Sequence, residues 1–482
     1  MHPAAERLLQ TYTPLHNLPP LAGVCDFPTA MEPGLSVEEC VRRLLRLHYV
    51  MKRLGEAFTF RIPEEPTYEL KMAYSLHAHQ LLEHVSAIRN RVAEMRQPPL
   101  GLEKIPHPDL ETLVNEVQFC PLPVEFLAGA YQVLVPALLE SVERYLRETH
   151  PLADHPTCRL LRFARLELRD MQEYGAAALD AFESSIAEQV DPRWTALLNQ
   201  FLIGAGELDG TAPESDVGAS PKYGDTPRPV TLVPQRDERF TDPYNMGVHA
   251  EEFLYDQRFS PRDKTLMMYF KRLREIDVPE MMATILHETP DKPWGYYRDM
   301  TRQLWDEARH AMLGEVGFLS LGIDWPQYVQ VNHTWALGLN TQLQAWERHA
   351  VLFFIEQGLM TKTGKRFEWE VGTASGDKLS ETFQDYDWAD EVLHARIGRD
   401  WYVSEFADLN EAIRYGDECW SKVLLNWQSW KDEGLTQHAN WWPALYQQFC
   451  TLHDLAPDAE AATYDVTYAT SRADLEKLGF SG

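Results

Sequence analysis

Two short segments in the second half of the chain combine residue types that bind metal ions. They are Asp306–His310, with the sequence D-E-A-R-H, and Asp390–His394, with the sequence D-E-V-L-H. In each, a glutamate precedes a histidine by three residues, so both side chains lie on one helical face and can reach one metal ion. One such pair can arise by chance in a chain with 17 histidines. Two near-copies of the motif predict a site for two metal ions.

Both motifs lie among apolar residues. Leu304, Trp305 and Met312 flank the first motif, and Trp388 and Ile397 flank the second. Carboxylate and imidazole groups are costly to bury on such a face unless they are paired or bind a metal. We therefore expect the two Glu-His pairs to share a buried site inside a helical bundle.

A carboxylate-bridged two-metal bundle takes one further glutamate from each of its other two helices. In the helix before the second motif, Glu356 lies 35 residues ahead of Glu391. Its rival is Glu347, which would lengthen the spacing to 44 residues. The sequence therefore favours Glu356 as the ligand from this helix.

The helix before the first motif offers two glutamates. If the turn falls near residues 289–293, Glu275 and Glu307 both lie about 14 residues from it and so sit at one level. Glu280 would lie about 8 Å lower at a rise of 1.5 Å per residue. However, Asp277–Glu280 resembles the start of a new helix, and a restart there would make Glu280 the better ligand. We expect Glu275 and keep Glu280 as the alternative.

Helical periodicity predicts an all-α chain with two domains. We expect a helical domain over 1–205, a linker over 206–240 rich in Gly, Pro, Ser and Asp, and a metal-binding domain over 241–482 with a C-terminal helical extension. A Gly- and Thr-rich insertion is expected at about 361–377. The predicted helices are 36–58, 67–96, 124–148, 157–189, 261–289, 294–321, 329–360 and 379–407.

Composition limits the classes of function. The formal net charge of -28 disfavours binding to nucleic acid. The six cysteines are far apart and form no C-x-x-C pair, so we expect free thiols rather than a zinc knuckle. No stretch has the roughly 20 apolar residues of a membrane span, and the N-terminus has no signal-peptide pattern. These features predict a cytoplasmic protein without a membrane partner.

At the two motifs the sequence resembles the ferritin-like di-iron carboxylate superfamily, in particular a bacterial branch of unassigned function. The resemblance covers about 228–405 and also includes Pro229–Asp237 and Ile355–Leu359. It implies a ferritin-like four-helix bundle. Pro279 and the longer insertion between the third and fourth helices depart from the pattern. By position, the resemblance implies six ligands that are also the catalytic residues: Glu275, Glu307, His310, Glu356, Glu391 and His394.

The first half of the chain resembles a degenerate copy of the same bundle. The copies can be aligned by setting His84 against His310 and Gly175 against Gly398. On this alignment apolar residues replace three ligands: Leu81 for Glu307, Leu168 for Glu391, and Met171 for His394. We therefore expect the N-terminal domain to be metal-free.

Mixed carboxylate and imidazole ligands suit iron or manganese better than zinc. We expect two Fe ions, with Mn/Fe or Mn2 as alternatives, and O2 as co-substrate in a non-haem oxidase or oxygenase that oxidises a small organic substrate. No G-x-G-x-x-G follows a strand pattern, so a separate electron-donor protein is expected as a partner. The oligomeric state stays open, a homodimer included. The alternatives are a non-catalytic metal-binding, storage or scaffold protein, and a pseudoenzyme.

Overall fold

The computed structural model describes residues 3–96, 101–216, 218–361, 364–424 and 429–467. Over these residues the chain consists of helices and connecting loops, with no β-strand. The expectation of an all-α protein is therefore confirmed for this part of the chain. None of the helices described is both long enough and apolar enough to cross a membrane.

The chain forms two compact units. The first contains the described residues up to Phe58 together with Gln80–Pro229, and the second contains Thr59–His79 and the described residues from Val230 onward. The predicted domains, 1–205 and 241–482, and the predicted linker, 206–240, are each one continuous stretch of sequence, whereas each unit combines two stretches. Each of the three predicted segments also contains some residues outside the described ranges. The structure groups Thr59–His79 with the second unit, where Lys71 forms a buried ion pair with Glu280.

Helices account for most of the first unit. The division between the units falls within the helices Val37–Arg61 and Tyr68–Glu94. The predicted helix 124–148 contains a π-helical turn, Gly129–Leu134, and the predicted helix 157–189 breaks at Phe182. The remaining helices of this unit are Pro3–Leu9, Leu15–Asn17, Pro20–Gly23, Phe27–Ala30, Pro108–Phe119, Pro123–Ala128, Val135–Glu148, His155–Ala181, Glu183–Gln189 and Pro192–Gly204.

Six helices of the second unit position the predicted site. They are α1 (Pro261–Arg274), α2 (Asp277–Glu288), α3 (Trp294–Ser320), α4 (Ala345–Leu359), α5 (Lys365–Ser375) and α6 (Lys378–Trp401). The other helices from Val230 onward are Ala250–Tyr255, Trp325–Gln327, Thr334–Gln342, Val403–Glu405, Leu409–Leu424, Ser429–Asp432, Trp442–Leu452 and Ala459–Ala462.

These six helices surround a common centre. Helices α1 and α2 both contact α3, α3 contacts α6, α6 contacts α4, and α4 contacts α2. Helix α5 contacts α6 and α1. Glycines allow the close approaches: a side chain at Gly314 would collide with the backbone of Leu273, and one at Gly398 would collide with Phe353.

Three predicted segments differ from the structure in detail. The segment 261–289 is divided into α1 and α2, with Pro279 in the first turn of α2, where its missing N–H leaves no helical hydrogen bond unmade. The segment 329–360 is divided into Thr334–Gln342 and α4. The insertion expected at about 361–377 contains α5, although residues 362–363 lie outside the described ranges.

Candidate metal centre

The six side chains named from the sequence lie together in the second unit. Their possible ligand atoms form two groups, within each of which the atoms lie within 4.8 Å of one another. Glu307 and Glu391 belong to both groups. The first group adds Glu275 and His310, and the second adds Glu356 and His394. The centroids of the two imidazole rings are 5.9 Å apart.

Each of these six residues has one buried side-chain atom without a hydrogen-bond partner among the described residues. These atoms are Glu275 Oε2, Glu307 Oε1, His310 Nδ1, Glu356 Oε2, Glu391 Oε2 and His394 Nδ1. Some lie near one another, such as His394 Nδ1 and Glu307 Oε1 at 3.1 Å, but without hydrogen-bond geometry. Buried polar atoms in proteins are nearly always satisfied. Six in one cluster, all able to donate an electron pair, fit one or two bound cations.

The two histidines are oriented by aspartates on the opposite helix. Nε2 of His310 on α3 lies 3.2 Å from Oδ2 of Asp390 on α6, and Nε2 of His394 on α6 lies 3.4 Å from Oδ2 of Asp306 on α3. Arg309 donates to both aspartates, at 2.9 Å in the case of Asp390. A proton held on Nε2 leaves the lone pair of Nδ1 directed at the carboxylates, which is the tautomer a metal requires.

Buried cations hold the outer oxygens of two of the glutamates. Lys365 Nζ lies 2.7 Å from Oε1 of Glu391 and 2.9 Å from both carboxylate oxygens of Asp387. Arg272 Nη2 lies 3.0 Å from Oε1 of Glu275. In both glutamates Oε2 is the unpartnered atom. The cations therefore fix these carboxylates with one oxygen free to face the cluster.

The electrostatics of the cluster favour added positive charge. Burial and the nearby Glu391 carboxylate raise the pKa of Glu356 well above its usual range. Burial lowers the pKa of His310, but Asp390 and Glu275 are among the carboxylates that more than offset this effect and raise it to about 10. The protein alone would therefore take up protons to neutralise this cluster, and metal cations can supply the same charge.

Glu280, the alternative ligand from the first segment, lies outside both groups. Its carboxylate accepts hydrogen bonds from Lys71 and from Arg236, the latter at 3.1 and 2.8 Å. A new helix does begin at Asp277, which on sequence grounds favoured Glu280. The structure nevertheless brings Glu275 into the cluster, because the ion pairs hold Glu280 elsewhere.

Glu347, the alternative from the third predicted helix, also lies outside the cluster. Its Oε2 accepts a hydrogen bond of 2.9 Å from the backbone N–H of Gln344 at the start of α4. Its Oε1 lies 3.5 Å from Lys422. Glu356, nine residues further along α4, lies in the cluster and accepts a 3.1 Å hydrogen bond from Gln303.

A cavity of about 330 Å³ adjoins the cluster. The glutamates Glu275, Glu307, Glu356 and Glu391 all form part of its wall. A small molecule in this cavity would lie directly beside the carboxylates. The arrangement combines a cluster of possible metal ligands with space for a second molecule.

Sequence reasoning did not identify the buried cations and their partners. Asp387 lies one helical turn before Glu391 and therefore on the same face of α6, which is a signal that could have been used. Lys365 begins α5, in the segment expected to be an insertion, and no periodic pattern marks it. Arg272 lies near the end of α1, where basic residues are common.

Comparison of the chain with protein-family models, with curated proteins and with solved structures found no match. The resemblance to the ferritin-like superfamily therefore stays an expectation from the motifs. The geometry of the cluster and its cavity carries the functional argument.

Proposed function

We propose that the second unit is a ferritin-like four-helix bundle that binds two metal ions and uses them with O2 to oxidise a small organic molecule. One observation carries the proposal. Six unpartnered buried atoms converge in two groups that share Glu307 and Glu391. Two shared carboxylates are what a pair of bridged metal ions needs.

The donor set assigns a role to each ligand. Glu307 and Glu391 would contribute to holding both ions, with Glu275 and His310 also holding one and Glu356 and His394 the other. Four carboxylates balance the charge of two divalent cations. Carboxylate and imidazole donors without a thiolate suit iron or manganese, so we propose two Fe ions, with Mn/Fe or Mn2 as alternatives. Two ferrous ions, when bound, supply the electrons and open positions that activate O2.

The chain's own residues prepare the site for this chemistry. Asp390 and Asp306 hold protons on Nε2 of the two histidines and so keep each Nδ1 available. Lys365 and Arg272 orient Glu391 and Glu275. Because the chain has no recognisable flavin or nicotinamide motif, we propose that a separate protein supplies electrons between turnovers.

The adjacent cavity favours catalysis over storage. Four of the proposed ligands form part of the wall of a space of about 330 Å³, which is large enough for an organic molecule. A storage site has no need of such a chamber beside its metal ligands. Storage or a structural metal site stays the alternative, and the experiment below separates the two.

The decisive experiment measures metal content and the response to O2 together. The full chain and the variants Glu307→Ala, Glu356→Ala and Glu391→Ala are loaded with ferrous iron without oxygen, analysed by mass spectrometry and mixed with O2 while visible absorption is recorded. We expect two ions and a transient absorption band in the wild type, and loss of both in the variants. Glu347→Gln, on the same helix as Glu356 but outside the cluster, is the control and keeps both.

Each other outcome has a definite meaning. One ion or none in the folded wild type contradicts the two-metal proposal. Two ions without any response to O2 favour the storage or structural alternative, or a manganese site. Loss of metal in Glu347→Gln would show that the cluster is not the binding site.

A further inference from the structure

The wall of the cavity beside the cluster is largely apolar. The larger aliphatic residues in this wall are Val278, Met281, Leu339, Leu352, Ile355 and Leu359. Trp335 and Trp420 also line it, and their rings stack at 4.0 Å with an angle of 10° between them. An apolar ligand would gain free energy by burying its surface against this wall.

The charged side chains of the wall outside the cluster are already paired. Arg274 Nη2 lies 2.5 Å from Oε1 of Glu251, and Lys271 forms an ion pair with Glu368. A charged ligand would have to break one of these pairs or be buried without a partner, and either costs free energy.

Asp277 and His249, two further titratable side chains of the wall outside the cluster, also have partners. Asp277 forms an ion pair with Arg236, and His249 Nδ1 accepts a 3.3 Å hydrogen bond from the backbone N–H of Glu252. The charged groups of the wall outside the cluster are therefore paired locally. Nothing in this arrangement selects for a carboxylate or an ammonium group on the ligand.

The volume sets the size of the ligand. A dry cavity of about 150 Å³ is enough to bind benzene. The present cavity of about 330 Å³ is therefore large enough for one or two rings. It is at the lower end of the roughly 300–1,000 Å³ found for ligand pockets.

We propose that this cavity binds an uncharged, mainly apolar molecule of one or two rings, and that such molecules are the substrate class. The second part rests on the proposed oxidase or oxygenase function. The first part does not, because binding can be measured whether or not metal is bound. Ala336, which is fully buried and lines the cavity, is the residue at which added volume would block the ligand.

The test is a calorimetric titration of the full chain, as purified and again after chelation, with three probes of similar shape. Indole is uncharged, indole-3-carboxylate is an anion, and tryptamine is a cation. We expect one indole per chain in both states and, with metal bound, at least tenfold weaker binding of the two charged probes, because the four cluster glutamates of the wall are then neutralised. Ala336→Leu should weaken indole binding at least tenfold and leave the metal content unchanged.

The first unit offers a matched control. It contains a cavity of nearly equal volume, about 320 Å³, whose lining includes Gln132, Glu140, Arg144 and Asn199. Ala137 lines that cavity, and Ala137→Leu should leave indole binding unchanged. If Ala137→Leu abolishes binding and Ala336→Leu does not, indole binds in the cavity of the first unit and the inference is wrong.

A second variant guards against misfolding of Ala336→Leu. Leu339→Ala enlarges the cavity and should raise the affinity for 2-phenylindole relative to indole. Equal or tighter binding of the charged probes to the metal-bound chain, or no effect of either variant, overturns the inference. Absence of indole binding in a chain that binds two ions and responds to O2 removes this inference alone. Indole binding in a chain that binds no metal removes the proposed function alone.

Discussion

The alignment that the sequence suggests between the two units pairs positions with opposite chemistry. The alignment of His84 with His310 sets Leu81, and that of Gly175 with Gly398 sets Leu168 and Met171, at the positions of three proposed ligands; all three residues are fully buried in the first unit. Among the residues that the structure describes, groups of acidic and histidine side chains close enough to hold a metal lie only in the second unit.

Two contacts recur in both units. Nε2 of His84 lies 2.6 Å from Oε2 of Glu167, and the corresponding pair of the second unit is His310 and Asp390. Gly175 packs against the ring of Tyr131 as Gly398 packs against the ring of Phe353. Three residues beyond these rings lie Leu134 and Glu356 respectively. These contacts favour the hypothesis of a degenerate copy, which stays a prediction.

The difference shows what each core needs for stability. In the first unit, Leu81, Leu168 and Met171 bury apolar surface, which stabilises the core without a ligand. In the second unit the aligned positions bury polar atoms whose partners are missing, which costs free energy until a cation binds. We therefore expect metal to stabilise the second unit and to have no effect on the first.

The largest effect should come from replacing three proposed ligands of the second unit with the apolar residues that align with them in the first unit. The triple variant Glu307→Leu, Glu391→Leu and His394→Met should bind less than one metal ion per chain, because both carboxylates shared by the two ligand groups are lost. Its stability without metal should equal or exceed that of the wild type by about 1–4 kcal/mol, as when buried ionic groups are replaced by apolar ones of similar volume. Metal analysis and urea unfolding after chelation measure both effects.

A second variant tests whether the apolar core of the first unit contributes to stability without affecting metal binding. Leu168→Ala leaves a cavity in a packed core and should lower the free energy of unfolding by about 2–5 kcal/mol. Its metal content should stay that of the wild type. Leu166→Ala, on the same helix but 58% exposed, is the control and should change stability by less than about 0.5 kcal/mol. Loss of metal in Leu168→Ala would show that metal binding in the second unit depends on the core of the first unit.

The comparison also separates what the sequence could predict from what it could not. The helices and the cluster followed from periodic signals: Glu307 and His310 share a helical face because of their spacing, and Glu356 sits on an apolar helix. Helix existence and face depend on residues that are neighbours in sequence. These parts could be predicted for that reason.

Contacts between distant segments could not be predicted in this way. Glu275 rather than Glu280 lies in the cluster because Lys71 and Arg236 hold Glu280, and both come from segments far away in sequence. Lys365 reaches Glu391 from a segment expected to be an insertion. Ion pairs of this kind leave no periodic trace in a single sequence.

A smaller effect should come from the aspartate behind His310. Asp390→Asn removes the carboxylate that holds the proton on Nε2, and such changes lower metal affinity by about 10–100-fold. The matched change in the first unit, Glu167→Gln, should leave metal affinity unchanged. Competition with a chromogenic chelator measures both affinities. A loss of affinity in Glu167→Gln would mean that the His84 pair has a role in metal binding after all.

The smallest effect should come from buried neutral histidines, which occur in both units. Burial lowers the pKa of His48 in the first unit and of His349 in the second to about 3. Because the unfolded chain binds their protons below about pH 6.5 and the folded chain does not, stability is complete above that pH and falls toward about pH 3. Each histidine should contribute up to about 1.4 kcal/mol per pH unit to this slope. Urea unfolding of His48→Gln and His349→Gln at pH 5.0 and 7.5 should give a flatter pH dependence than the wild type in both variants. A flatter slope in only one variant would show that burial of a neutral histidine contributes to acid sensitivity in one core and not in the other.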